Sequence, residues 1–177
     1  MIVISIIYHY ILDNFVFFGA LVASIKWIYE YTQSRKFERN KFLFERIEKI
    51  DELNNTKIVK KMLDWNKISI VDNNNRYLID DDILIESLIT HDKRDKFNDT
   101  EVWIRSQFDE YFDNLNELIL LAECGLIDEY SLRKMMKYWI DILNGKKKVK
   151  SKQFSVQIQN YLIFYDYHDV ASFIMKS

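Results

Sequence analysis

Proline is absent from these 177 residues, and glycine occurs three times, at Gly19, Gly125 and Gly145. Strand-rich folds use both residues to punctuate their turns, so their scarcity argues for helices joined by polar turns. A single cysteine, Cys124, excludes an internal disulfide framework and a thiolate metal site. The three histidines, His9, His91 and His168, stand far apart, without metal-ligand spacing. Charge of one sign is also lacking. Lys and Arg total 25 against 27 Asp and Glu, so the chain carries no electrostatic footprint for nucleic acid and none is expected as a partner. Glycine-rich phosphate loops, the HExxH pattern and the GxSxG elbow are all missing. No cofactor, metal or catalytic residue is therefore expected, and the chain reads as non-enzymatic.

What the chain does have is an apolar beginning. Ile2 to Tyr31 is almost unbroken apolar and aromatic, and only Asp13 and Lys26 interrupt it before Glu30. Arg35, Lys36, Arg39 and Lys41 follow at once. Such a run with a basic end reads as a membrane-spanning helix whose basic end faces the cytoplasm. Tyr8 and Tyr10 would mark one interface, with Trp27, Tyr29 and Tyr31 at the other. Asp13 is costly at the bilayer centre, by about 2.5–3.5 kcal/mol on insertion scales. Either the span slides toward Phe15–Tyr31 and Asp13 reaches the headgroups, or Asp13 and Asn14 stay buried and pair with another helix. In the second case Asp13, Asn14 and Gly19 form a self-association surface. A buried core helix would need a larger core than the rest of the chain supplies. A cleaved signal peptide would carry its basic end first, with an Ala-x-Ala site after. The expected topology is single-pass in a bacterial inner membrane, N-terminus outside and C-terminal domain in the cytoplasm.

The apolar helix is expected to continue as a stalk along Phe37, Phe44, Ile47 and Ile50. Asn54 and Asn55 end it, and Thr56 caps a short helix from Lys57 to Trp65. Lys67–Val71 alternates, Asp72–Asn75 makes a turn and Arg76–Ile79 follows, giving one short β-hairpin. Asp80–Asp82 suits the cap and first turn of a helix over Ile83–Ile89. Asn98, Asp99 or Thr100 caps the strongest helix, whose stripe runs from Ile104 through Phe108, Tyr111, Phe112, Leu115, Leu118 and Ile119 to Ala122. Gly125 closes it. A second helix from Asp128 or Ser131 turns Leu132, Met135, Met136, Trp139, Ile140 and Leu143 inward, making an αα-hairpin. A helix carrying Phe154, Ile158, Tyr161, Leu162 and Tyr165 and a short turn with Val170, Phe173 and Ile174 complete the domain. The fold class is thus mainly α: an N-terminal transmembrane and stalk helix, then a small helical bundle with one short β-hairpin. The divisions are 1–33 anchor, 34–55 stalk and 56–177 cytosolic helical domain.

Few constellations carry chemistry. Asp80–Asp82 offers carboxylates to a hard cation, though capping explains it as well. His91–Asp92 and His168–Asp169 place base and orienter side by side, where neighbours seldom face each other. Cys124 beside Glu123 has the wrong electrostatics for a reactive thiolate. Lys146, Lys147, Lys148, Lys150 and Lys152 form the sharpest charge feature. Near an anionic leaflet each contributes about 1 kcal/mol, so they are expected to contact lipid headgroups or to form a solvated loop. Tyr161, Phe164, Tyr165, Tyr167 and Phe173 fit core packing better than a stacking platform.

Lys36–Phe42, Met62–Asn66, Phe108–Phe112, Gly125–Asp128, Tyr138–Trp139 and Tyr161–Tyr165 together resemble a group of uncharacterised bacterial proteins with an N-terminal transmembrane helix and a small helical cytosolic domain. The resemblance implies membrane anchoring and a helical fold and transfers no catalytic residue. The expected function is an interaction, adaptor or sensor module at the cytoplasmic face of the membrane, in stress or phage response, with membrane lipid and a protein partner or a second copy as partners. Two other readings stand beside it: an effector that oligomerises through its membrane helix to permeabilise the bilayer, and a metal-dependent hydrolase built on Asp80–Asp82.

Overall fold

The computed structural model describes the backbone of residues 2–72 and 74–176, and the side chains of residues 15, 17–72 and 74–176. Seven helices and one two-stranded antiparallel sheet appear among the described residues, so the protein is mainly α with a small β-hairpin. Two compact units divide it, Met1–Lys41 and Phe42–Ser177.

The first unit is helical along its described backbone, as the start of α1 (Ile2–Glu52). With no proline to remove a backbone donor, nothing in the sequence breaks the hydrogen-bond ladder. Ser24 and Thr32 donate their hydroxyls to the carbonyls of Ala20 and Ile28, at 2.8 and 2.7 Å, which satisfies both polar groups inside the helix. The described apolar side chains of this unit all face solvent: Phe15 is 81% exposed and Trp27 66%. No helix among the described residues is long and apolar enough to cross a membrane. The apolar run, however, reaches back through Ile2–Asn14, whose side chains lie outside the described residues.

In the second unit the tail of α1 buries Leu43, Ile47 and Ile50. The expected stripe through Phe37 and Phe44 is corrected here: both are well exposed, Phe44 at 59%. Leu43, Ile47 and Ile50 recur at i, i+4 and i+7, the helical period, whereas Phe44 lies about 100° round the axis from Leu43. Arg46 pairs with Glu117 and Asp51 with Lys60, fixing this tail to the neighbouring helices.

Helix α2 (Asn54–Asp64) begins earlier than the sequence suggests, after Leu53, and has no side-chain cap. Thr56 does not cap it. Its side chain is fully buried inside the helix, with no partner for its hydroxyl among the described residues. The strands β1 (Lys67–Asp72) and β2 (Asn75–Asp80) pair in register from Lys67 opposite Asp80 to Asp72 opposite Asn75. Asn74 takes φ of 65°, a left-handed turn position that asparagine tolerates. Tyr77 stacks on Trp103 with ring centroids 4.0 Å apart, and Trp103 Nε1 donates to Asp72 at 2.9 Å. These contacts tie the hairpin to the helix that carries Trp103.

Helix α3 (Asp81–Ser87) starts where the three aspartates place it, with the Asp80 carboxylate accepting from Ile83 N at 3.0 Å. Its end falls two residues before the expected Ile89. Helix α4 (Asp99–Glu123) is the centre of the unit, packing on α2, α3, α5 (Glu129–Leu143) and α7 (His168–Met175). Asn98 caps it through a reciprocal capping box with Glu101. The exposed Cys124 is its C-cap, and Gly125 follows at φ of 69°. In α5, Leu132, Met136, Ile140 and Leu143 are buried as expected, but Met135 faces solvent and Ile142 takes an inward place. Helix α6 (Lys152–Phe164) is capped by Ser151, and α7 is a true helix rather than a turn.

Candidate functional site

Two surfaces and one buried node hold the side chains of most chemical interest. The first surface belongs to α1. Trp27 stacks on Tyr31, ring centroids 5.7 Å apart. Arg35 lies over the same tyrosine, its Cζ 5.4 Å from the ring centre and its Nε donating to the Tyr31 hydroxyl at 2.9 Å. Spacing of four residues makes this ladder, because i and i+4 side chains sit one above the other. Lys26 pairs with Glu30 beside it, at 3.7 Å. Arg35, Lys36, Arg39 and Lys41 form no ion pair among the described residues. Gly19 sits on the exposed helix, where an added Cβ would meet nothing. Asp13 and Asn14, the other expected self-association residues, lie outside the described side chains.

The lysine run makes the second surface, and the structure divides it. Lys146, Lys147, Lys148 and Lys152 are exposed, and the Lys147 ammonium sits 3.5 Å from the centre of the Tyr138 ring. Lys150 departs from the expectation of a headgroup contact. Its side chain is 2% exposed and donates to Asp81 Oδ1 at 2.5 Å and to Trp65 O at 2.8 Å. A buried cation is tolerated only when paired, and Asp81 supplies the pair. That lysine fastens α3 to the chain before α6 and is unavailable to a lipid surface.

The buried node was not visible in the sequence. Arg105, within α4, aims its four terminal N–H contacts at protein acceptors: Ser87 O at 2.8 Å, Ile89 O at 2.7 Å, His91 Nδ1 at 3.3 Å and the Tyr165 hydroxyl at 2.5 Å. The Tyr165 hydroxyl accepts from Arg105 and is also hydrogen-bonded to His91 Nδ1. Phe97 and Tyr161 cover the guanidinium, their ring centres 4.3 and 5.0 Å from Cζ. One turn on, Asp109 accepts from Tyr161 Oη at 2.6 Å, and Asp113 accepts from Tyr167 Oη at 3.0 Å. Burial lifts the Asp109 carboxyl above its usual range, against opposing pulls from the Tyr161 hydroxyl and Arg105. Burial and the bonds to Asp109 and Asp113 hold Tyr161 and Tyr167 above the ordinary phenol range. All of these groups answer one another, so the node closes the loop after α3 onto α4 and α6. The signal that could have revealed it is an arginine inside the apolar stripe of α4, where an unpaired charge is not stable.

Of the remaining sequence candidates, Asp80 is a helix cap, Asp81 is the lysine partner and Asp82 is exposed. No group of three His, Cys, Asp or Glu side chains among the described residues could hold a metal ion. His168 lies 3.4 Å from Asp166, both largely in solvent, and not in a pair with Asp169. Tyr161 and Phe173 are core residues, Tyr165 and Tyr167 are half-buried and Phe164 is exposed. A cavity of about 160 Å³ lies between α4, α5 and α7, with Arg133 on its wall bonded to Glu129 and to Phe173 O.

No protein-family model, curated protein or solved structure matches the chain.

Proposed function

We propose that the protein is a membrane-anchored helical interaction module, held at the cytoplasmic face of a bacterial inner membrane by α1. The observation that carries this reading is the surface of α1 between Phe15 and Tyr31. Phe15, Phe17, Phe18, Leu21, Val22, Ile25, Trp27 and Ile28 all stand exposed there, on every side of the helix. Surface this apolar and continuous is not left to water by a stable monomer. The described segment alone falls short of a membrane span. The reading adds Ile2–Leu12, whose composition is almost wholly apolar and aromatic, to reach the roughly 20 residues that cross a bilayer. The basic residues at 35–41 set the orientation by the positive-inside rule. The compact unit from Phe42 onward then works by contact with a protein partner or a second copy.

Alkaline carbonate extraction of membranes carrying the full chain, with protease added from each side, tests this. Retention in the pellet with a C-terminal unit cleaved only from the cytoplasmic side is the expected result. Release into the supernatant refutes the anchor.

A further inference from the structure

The structure assigns anionic phospholipid headgroups as the ligand of the basic turn of α1, with Arg35, Lys36 and Arg39 as the contacting cations. This rests on the membrane-anchor reading and names the lipid class it engages. Between residues 35 and 41 stand four cations and one carboxylate, Glu38, and none of the cations is paired within the described residues. Nearer the apolar run Lys26 does have its carboxylate, Glu30. The four unpaired cations thus follow directly on the aromatic residues of α1.

Helical geometry makes this turn a surface rather than a scatter. At about 100° per residue, Trp27, Tyr31, Arg35, Arg39 and Lys36 fall in that order within roughly half the circumference. Lys41 falls about 40° beyond Trp27 on the other side, turned away from Arg39 and Lys36. Side chains on a helix lean toward its N-terminus, so Arg39 and Lys36 reach back toward the level of Arg35. Arg35 is already held there by its bond to Tyr31 and by the Trp27–Tyr31 stack. Tryptophan and tyrosine settle at the headgroup level of a bilayer. With Trp27 and Tyr31 at that level, the guanidinium of Arg35 faces lipid phosphate, which it matches in a planar, two-point fashion. The exposed lysines after α5 lack this aromatic footing apart from Lys147 on Tyr138. The node at Arg105 offers no comparable ligand site, because its donors are directed at protein acceptors.

Each cation near an anionic surface strengthens association by about fivefold. The test uses the full chain in mild-detergent micelles doped equally with phosphatidylglycerol and phosphatidylcholine, with bound lipid counted by native mass spectrometry. Wild type should retain phosphatidylglycerol in preference by about tenfold or more, as two or more such contacts imply. Replacing Arg35, Lys36 and Arg39 by glutamine together should abolish the preference, whereas Lys146→Gln with Lys147→Gln and Lys148→Gln should leave it intact. Preference surviving the first triple variant, or lost in the second, overturns the inference. Carbonate extraction of the same proteins separates the two ideas. Wild type that stays in the membrane without preferring phosphatidylglycerol overturns this inference alone, and wild type released by carbonate overturns the anchor with it.

Discussion

Replacing Lys150 by methionine keeps the aliphatic stem and removes the ammonium, so the change isolates what the charge contributes. Two bonds vanish with it, one to Asp81 at 2.5 Å and one to Trp65 O at 2.8 Å. Removing one partner of a buried ion pair costs about 3–5 kcal/mol, mostly because the other is left uncompensated. Asp81 retains 28% side-chain exposure and can recover some water. That moves the expected loss below this range, to about 2–3 kcal/mol. For a unit of this size a loss of that order lowers Tm by roughly 6–10 °C. A chain beginning at Ser34 contains the whole compact unit from Phe42, and urea unfolding followed by far-ultraviolet circular dichroism measures its stability. Lys148→Met, a neighbour in solvent, serves as the control and should change stability by less than about 0.5 kcal/mol. Combining Lys150→Met with Asp81→Asn should show a coupling of about 1–3 kcal/mol. If Lys150→Met behaves like the control, the burial argument is wrong and the lysine belongs to the solvated run after all.

Arg105→Lys should destabilise the same unit by about 2–4 kcal/mol, because an ammonium cannot reach the Ser87 and Ile89 carbonyls and Tyr165 together; an unchanged urea midpoint would exclude the node as a structural tie. Burial makes Asp109 hold its proton more tightly in the fold than in the unfolded chain, so its contribution to stability is largest in acid. That contribution declines as pH rises from the ordinary carboxylate value through the raised one. Asp109→Asn should flatten this part of the stability profile, and an identical slope in both proteins would count against it. Tyr111, Tyr161 and Tyr167 are likewise held protonated, so absorbance at the phenolate band should miss them as pH passes about 10 and recover them in one cooperative step on unfolding. Their stabilising effect is complete below the unfolded value and fades as pH climbs above it. Gly145→Ala should cost more than Gly125→Ala: both have positive φ, but only at Gly145 would the new Cβ fall 2.5 Å from Ser155 Oγ. Equal thermal shifts in the two variants would contradict the packing at α6.

Local signals were readable wherever the partner is a near neighbour in sequence. Asn98 with Glu101, Asp128 with Ser131, Asp80 with Ile83 and the left-handed Gly125 all lie where short-range chemistry puts them. The hairpin followed from alternation, and the structure adds Asp72 to the first strand and Asn75 and Asp80 to the second. Legibility failed where the partner comes from far along the chain. Lys150 looks like a solvated lysine until the fold delivers Asp81 and Trp65, 69 and 85 residues away. Arg105 owes its place to Tyr165, which is 60 residues on. The face of α1 that turns inward depends on which neighbour it meets, and a shift of one residue exchanged Phe44 for Leu43. Nothing local in Thr56 announces that it will be enclosed rather than used as a cap.

Cys124, exposed at the end of α4 and alone in the chain, has a practical meaning beyond its packing. Any disulfide this protein forms must join two molecules, and with one thiol per chain the oxidised product stops at a dimer. A non-reducing gel after mild oxidation thus reports how often the ends of α4 in neighbouring copies come within bonding distance. The same atom accepts one maleimide label per molecule, so a fluorophore placed there counts subunits by its bleaching steps without altering the sequence.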